Sequence, residues 1–357
     1  MKKVLLLVLV LLLSTSKDSQ ACTNFQIEAQ DKSVIVGRTM EYPTDLRSKI
    51  WVVPRGTEQT SANNQGVKNL YWNSKYAYIG IDGFDLGSII DGMNEKGLSV
   101  NGLMYTGAKY QDRGKGKFVT YADLGSWILA NFSTVDEVKK ELPNINVIDK
   151  YIKEFRGSLG LHMAVHDASG KSIVIEFING EQKISDNNIG ILTNRPSFDQ
   201  QMTNLRNYIN LQADNKEARM VNGVMIEPAG AGSGMLGLPG DWTPPSRFVK
   251  MAYVLDAVAK PKTAVEAVNL AEHVMNTVDI PKGVIKEKDL PKNVFPNTQW
   301  SVIYDLKNKI MYFRTYDNLT LRKIELSKLT LSEGTDKKRL AISKKFSNTI
   351  DAGKLFN

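Results

Sequence analysis

Cysteine is nearly absent from this chain: Cys22 is the single one in 357 residues. A disulfide within the chain is therefore excluded, and with it every small fold that depends on such a framework. Histidine is almost as scarce, with His162, His166 and His273 alone. Three imidazoles and one thiol, scattered this way, form no metal-ligand constellation. His162 and His166 fall four apart in a segment that reads as a strand, which puts both on one face as structural residues. No apolar run beyond Leu13 nears the roughly 20 residues that a membrane-crossing helix needs. Charge of one sign is not concentrated either. The formal net charge is +8, but basic residues alternate with acidic ones, as in Lys139-Lys140-Glu141 and Lys286-Glu287-Lys288-Asp289. That is a solvated surface and not a stripe for nucleic acid. No internal repeat or low-complexity tract is present.

What the chain does have begins at its start. Lys2 and Lys3 precede an apolar run from Val4 to Leu13, followed by a polar stretch ending in Ser19-Gln20-Ala21. This is the layout of a secretory signal peptide. We expect residues 1–21 to be removed and residues 22–357 to form one domain, exported to the periplasm or the medium. The leader carries three Lys and one Asp, so 336 residues with a net charge of +6 remain. That length supports a sizeable core.

Strands and helices are mixed throughout. Thr23–Glu28 and Ser33–Val36 read as a hairpin turning at Asp31-Lys32. Leu98–Tyr105 and His162–Asp167 are further strands, the latter pairing with Lys171–Ile178. Gln299–Asp305 and Lys309–Thr315 read as another hairpin. Helices are expected over Tyr121–Phe132, Val135–Leu142 behind the Ser133-Thr134 cap signal, Phe198–Gln212, Pro245–Val258 and Thr263–Val274. Hairpins separated by helical blocks predict an α+β arrangement of layers. Pro228–Pro245 is rich in Gly and Pro and reads as a shaped loop, since it lacks the GK[ST] ending of a phosphate loop.

Cys22 stands directly after the expected cleavage point. A thiolate is the reactive form of cysteine, and its ordinary pKa of about 8.5 calls for a base or a cation nearby. Cleavage after Ala21 would supply one on the same residue: an α-amine, with a pKa of about 7.7 to 8.0. Nucleophile and general base are then held together covalently. Two other fates remain open for this thiol. One is lipid anchoring at the processed N-terminus, for which Gln20 fits the lipobox poorly. The other is an inert buried side chain.

Cys22-Thr-Asn-Phe followed by Gly37-Arg38-Thr-Met-Glu41 resembles the N-terminus of the choloylglycine hydrolase family. The resemblance continues through Asp91-Gly-Met-Asn-Glu-Lys-Gly-Leu98, Leu129-Ala-Asn-Phe-Ser-Thr134, and Asp186 to Asp199. It resumes at Gly237-Leu-Pro-Gly-Asp-Trp-Thr-Pro-Pro-Ser-Arg247-Phe248 and fades after about Asn318. That family holds conjugated bile salt hydrolases, penicillin V acylases and relatives acting on N-acyl homoserine lactones.

The resemblance implies an N-terminal nucleophile hydrolase fold, an αββα sandwich of two antiparallel sheets between helical layers. It implies hydrolysis of a linear amide bond in a small-molecule N-acyl amide, with no metal or cofactor, and a homotetramer as the assembly. No stable membrane insertion is expected. Cys22 matches the family nucleophile, and Arg38 the cation beside it. Asn194 matches the residue that stabilises the oxyanion with its side chain, Met104 the residue that does so with its backbone N–H, and Arg247 a second arginine near the site. Taken singly, Arg38, Asn194 and Arg247 also read as a surface cation, a turn residue and a helix-surface charge. Two positions depart from the pattern. Glu41 stands where the family usually has Asp to orient the nucleophile's amine, with a side chain about 1.5 Å longer. Met104 stands where bile salt hydrolases tend to carry Asn. A backbone donor survives that change, whereas a polar side-chain contact to substrate does not. Met104, Tyr105 and Trp51 are the candidates for the acyl pocket, with a core role the alternative for both aromatics. A function of another class would be a non-catalytic exported lipoprotein or binding protein on the same fold.

Overall fold

The structure is a computed structural model and describes residues 21–155 and 157–342. Two large antiparallel sheets dominate it. The first has six strands in the spatial order Ile191–Thr193, Cys22–Glu28, Val34–Tyr42, Asn297–Asp305, Ile310–Thr315 and Asn318–Glu325. The second has eight, in the order Glu181–Asp186, Ser172–Ile178, Leu161–His166, Ser99–Met104, Ile89–Asn94, Tyr78–Asp82, Lys49–Val53 and Lys338–Ala341. Five α-helices accompany them among the described residues: α1 Tyr121–Asn131, α2 Val135–Glu141, α3 Phe198–Asn204, α4 Pro244–Ala257 and α5 Ala264–Asn276.

Side-chain alternation assigns the layers. In the second sheet Val100, Met163, Val165, Ile173, Ile175 and Phe177 face outward and pack with Leu124, Ile128 and Leu129 of α1. The intervening Leu103, Ala164 and Val174 join the residues of the first sheet in a core between the two sheets. On the far side of the first sheet Phe248 and Met251 of α4 and Ala267, Ala271 and Val274 of α5 close the stack. The result is helix, sheet, sheet, helix. Strands buried on both faces lose the polar–apolar alternation of a half-exposed strand, which is why Val34-Ile35-Val36 is apolar throughout.

The expected hairpins form. Cys22–Glu28 pairs with Val34–Tyr42 from Cys22 against Met40 to Glu28 against Val34. Leu161–His166 pairs with Ser172–Ile178, and Asn297–Asp305 with Ile310–Thr315. Thr134 caps α2 by accepting the Glu137 N–H, and α4 opens on proline at its first positions. The helix expected over 198–212 is shorter. It ends at Asn204 and passes into a 3-10 turn, Leu205–Tyr208. Only Phe198 and Gln201 of α3 are buried, and Ile209, which would have extended the apolar face, is 72% exposed. With no partner to pack on, the helix has little to prolong it. The small hairpin Arg219–Val221 with Val224–Ile226 was not anticipated. The expected leader, residues 1–21, lies outside the described residues except for Ala21.

Candidate active site

Cys22 opens the second strand of the first sheet and is 1% exposed. Alternation points Cys22, Asn24 and Gln26 toward the second sheet, where His166 bonds both Asn24 and Gln26. Thr23 points the other way, toward α4, and accepts a hydrogen bond from Arg247. The thiol therefore lies between the sheets while the backbone of the same residue is reached from the helical layer.

Register brings Arg38 alongside, because it pairs with Asn24 while Met40 pairs with Cys22. Arg38 Nη2 donates to the thiol sulfur at 3.7 Å and to Gly102 O at 2.9 Å. The Met40 sulfur sits 3.9 Å from the thiol sulfur. Burial pushes the thiol pKa up, and the Arg38 charge opposes that shift. The Glu41 charge also raises it, while the Glu41 backbone N–H and Arg247 lower it.

Asn194 arrives from the strand on the other side. Thr193 pairs with Thr23, so the next residue emerges beside Cys22. Asn194 Oδ1 accepts the Cys22 N–H at 2.5 Å and an Arg247 Nη2 N–H at 2.9 Å. Its Nδ2 donates one proton to Met104 O at 2.9 Å, which leaves the second proton of that amide for another acceptor. Arg247, in the first turn of α4, is fully buried. It also donates to Cys22 O at 2.5 Å and Thr23 Oγ1 at 2.6 Å. The backbone of Cys22 is thus gripped at both its N–H and its C=O.

Glu41 is 1% exposed and shares the helix-side face of its strand with Thr39. Its Oε1 accepts from Thr298 Oγ1 at 2.8 Å, while Oε2 has no hydrogen-bond partner among the described residues. Burial pushes its pKa up to about 7, against the pull of Arg247 and Thr298. A carboxyl whose folded pKa is raised contributes stability below its unfolded value of about 4.5 that is lost as pH rises through about 7. Glu41→Gln should therefore gain about 2–3 kcal/mol on wild type between pH 5 and pH 8. Urea unfolding of both at the two pH values measures this, and a gap that does not widen would contradict it.

A narrow cavity of about 60 Å³ opens at the thiol. Its wall is largely apolar: Met40, Leu46, Phe84, Ile90, Met104 and Leu161 contribute, with Arg38 and Ser88 among the few polar residues. Of the three pocket candidates, only Met104 lines it. Tyr105 is buried and stacks on the His162 ring at 5.0 Å. Trp51 packs in the outer core of the second sheet, and Arg339 lies over its ring at 5.3 Å. The parity of its strand turns Trp51 away from the space between the sheets, whereas Ile50 faces it. Neither aromatic lines the cavity. The strand histidines lie elsewhere on the inner face. His166 is pulled down to a pKa of about 3 by burial, and His162 Nδ1 is 3.3 Å from Glu176. Asp91, Thr298, Trp300 and Tyr304 also converge here and were not singled out from the sequence. Asp91 alone stood in a recognisable motif.

Two antiparallel sheets between helical layers, with a strand opening on a buried cysteine at their centre, define the αββα sandwich of the N-terminal nucleophile hydrolases. Residues 22–342 match the family of linear amide C–N hydrolases, choloylglycine hydrolase family, and the chain belongs to it. It is an amide hydrolase of the bile salt hydrolase and penicillin V acylase type. A bile salt hydrolase/transferase of Clostridium perfringens is 33% identical over 317 residues, 87% of this chain and 94% of the relative. A penicillin V acylase of Pectobacterium atrosepticum is 33% identical over 207 residues, 55% of this chain and 54% of the relative. Among solved structures, a variant conjugated bile acid hydrolase from Clostridium perfringens superposes with a TM-score of 0.82 at 31% identity, covering 92% of this chain and 99% of the other. Penicillin V acylase from Agrobacterium tumefaciens gives 0.74 at 29% identity, covering 90% and 91%.

Proposed function

We propose that the mature enzyme begins at Cys22, after removal of residues 1–21 as a signal peptide, and acts in the periplasm or the medium as a cysteine-dependent hydrolase of small-molecule N-acyl amides. The observation that carries this reading is the convergence on one residue: Asn194 and Arg247 at the Cys22 backbone, Arg38 at its sulfur. Removing Ala21 converts the Cys22 N–H, 2.5 Å from Asn194 Oδ1, into an α-amine at the same point. The amine takes the thiol proton, and the sulfur attacks the amide carbonyl. The second Asn194 amide proton and the Met104 backbone N–H receive the charge that develops on oxygen. The amine then passes its proton to the leaving nitrogen, and a thioester remains. Water, deprotonated by the same amine, releases the acid. Arg38 favours the thiolate through its charge, and Arg247 with Asn194 holds the Cys22 end of the strand in place; Glu41 bonds Thr298 and acts on Cys22 through its charge.

The acyl group is apolar and carries few polar substituents. A hydroxylated acyl group entering a wall such as this leaves its hydroxyls without partners, at about 1–3 kcal/mol each. Met104→Asn adds a partner at the wall and keeps the backbone donor. We expect turnover on penicillin V to change little and the ratio of kcat/KM for a conjugated bile acid over penicillin V to rise about tenfold. An unchanged ratio would show that position 104 does not set acyl preference.

The direct test of the whole reading is the mass of the N-terminus of exported protein, followed by turnover of taurine- and glycine-conjugated bile acids, penicillin V and acyl homoserine lactones. A free Cys22 with turnover of any of these supports it. A lipid-modified Cys22 without turnover supports the non-catalytic alternative.

A further inference from the structure

Arg38 does not face the thiol alone. Its Nε lies 3.2 Å from Asp91 Oδ2, and neither side chain has any solvent exposure. Asp91 comes from the central part of the second sheet, so this ion pair crosses between the sheets. The carboxylate is held in turn: Asn101 Nδ2 donates to Oδ2 at 3.0 Å and Tyr304 OH donates to Oδ1 at 2.6 Å. The guanidinium is further fixed by Gly102 O at 2.9 Å and by the Trp300 ring 4.6 Å from its centre. Trp300 and Tyr304 belong to the first sheet, Asn101 and Gly102 to the second.

Three ionisable side chains act on the thiol directly: Arg38 and Glu41 from the adjacent strand and Arg247 from α4. Asp91, from the second sheet, reaches it through Arg38. Burial pushes the Asp91 pKa up, and the Arg38 charge opposes that shift and favours the carboxylate. Arg38 is the cation that touches sulfur, and Asp91, with Oδ2 3.2 Å from its Nε, is the group that offsets its charge and draws the guanidinium toward the second sheet. A bidentate-capable arginine positioned by a buried carboxylate loses little freedom when it acts.

We infer that Asp91 is a positioning residue for the reaction, acting through Arg38: it aims the guanidinium at the Cys22 sulfur and tempers the positive charge felt there. The inference rests on the reading of Cys22 as nucleophile. It has two separable parts, geometry and charge, and two substitutions divide them. Asp91→Asn keeps the shape, since its carbonyl oxygen accepts from Asn101 and stays beside Arg38 Nε while its NH₂ donates to the Tyr304 oxygen. It removes the negative charge. Asp91→Glu keeps the charge and displaces it by a methylene.

Because Cys22 is the only cysteine, alkylation of the mature chain by iodoacetamide titrates this thiol directly. In Asp91→Asn the midpoint of alkylation against pH should fall by roughly one unit, because an opposing charge has gone and the cation remains. The thiol limb of the kcat/KM profile should move with it. In Asp91→Glu the midpoint should stay within a few tenths of wild type while kcat falls about tenfold at unchanged KM, the mark of misaimed chemistry and not of weakened binding. A folded Asp91→Asn with an unchanged or raised midpoint would overturn the inference, and so would wild-type kcat in Asp91→Glu. Should Asp91→Asn fail to fold, Asp91→Glu decides alone. Cys22→Ala measured alongside separates the two levels: activity in that variant removes the nucleophile reading, whereas the alkylation midpoints still report what Asp91 does to the thiol.

Discussion

Cys22→Ser should fold as wild type and lose activity by on the order of a thousandfold or more. The hydroxyl is slightly smaller than the thiol, so the buried space beside Met40 and Arg38 accommodates it. Its proton is much harder to remove than that of a thiol, and the sulfur is the stronger nucleophile. Arg38 adds little help, because a cation matters most to a group that ionises in the working range. Circular dichroism and turnover on the best substrate of the panel measure the two halves of this result. Activity within about tenfold of wild type, a barrier change of only about 1.4 kcal/mol, would remove Cys22 from the role of nucleophile.

Blocking the amine should be nearly as severe. A chain that keeps even one residue before Cys22 has an amide where the base should stand, and an amide nitrogen does not accept a proton near neutral pH. General-base catalysis is worth about 10²–10⁴-fold, and we expect a loss of that size. The fold leaves room for the extension: Ala21 is described in place, 6% exposed, with the Cys22 N–H still bonded to Asn194. Loss of activity would then reflect chemistry and not misfolding. The matched control is Met followed directly by Cys22, expressed in a host that removes Met, which should be fully active. An active extended form, verified by mass, would refute the amine as base. The search would then turn to histidine, and neither strand histidine is well suited: His166 is held neutral by burial and bonded to Asn24 and Gln26, and His162 is paired with Glu176 and stacked on Tyr105.

These expectations depend on residues of different legibility. Cys22 stood out because a lone thiol coincided with a cleavage signal, and Arg38 because its motif follows Cys22 closely in the family resemblance. Asn194 and Arg247 had no such local signal. They are 172 and 225 residues away from Cys22, and only the order of motifs along the chain marked them. Trp51 stayed open between pocket and core, because an aromatic in a strand has two faces available and the sequence there does not say which one looks inward. Asp91 was in view as part of a motif, yet its value comes from a strand in the other sheet.

By itself the sequence marked the Cys22–Glu28 hairpin, the Leu161–His166 and Asn297–Asp305 hairpins and the starts of the helices, since periodicity, caps and turn residues act over a few positions. It also singled out Cys22 as the proposed nucleophile, because there is one thiol. The tertiary structure decided the electrical surroundings of that thiol. Arg38 and Glu41 belong to its own sheet, but Arg247 reaches it only because α4 packs on the outer face, and Asp91 only because the second sheet docks on the inner one. The same packing decided that Glu41 sits where burial lifts its pKa to about 7 and that the wall at Met104 is apolar. Such properties depend on distance and on the exclusion of water, and both are set when the four layers close.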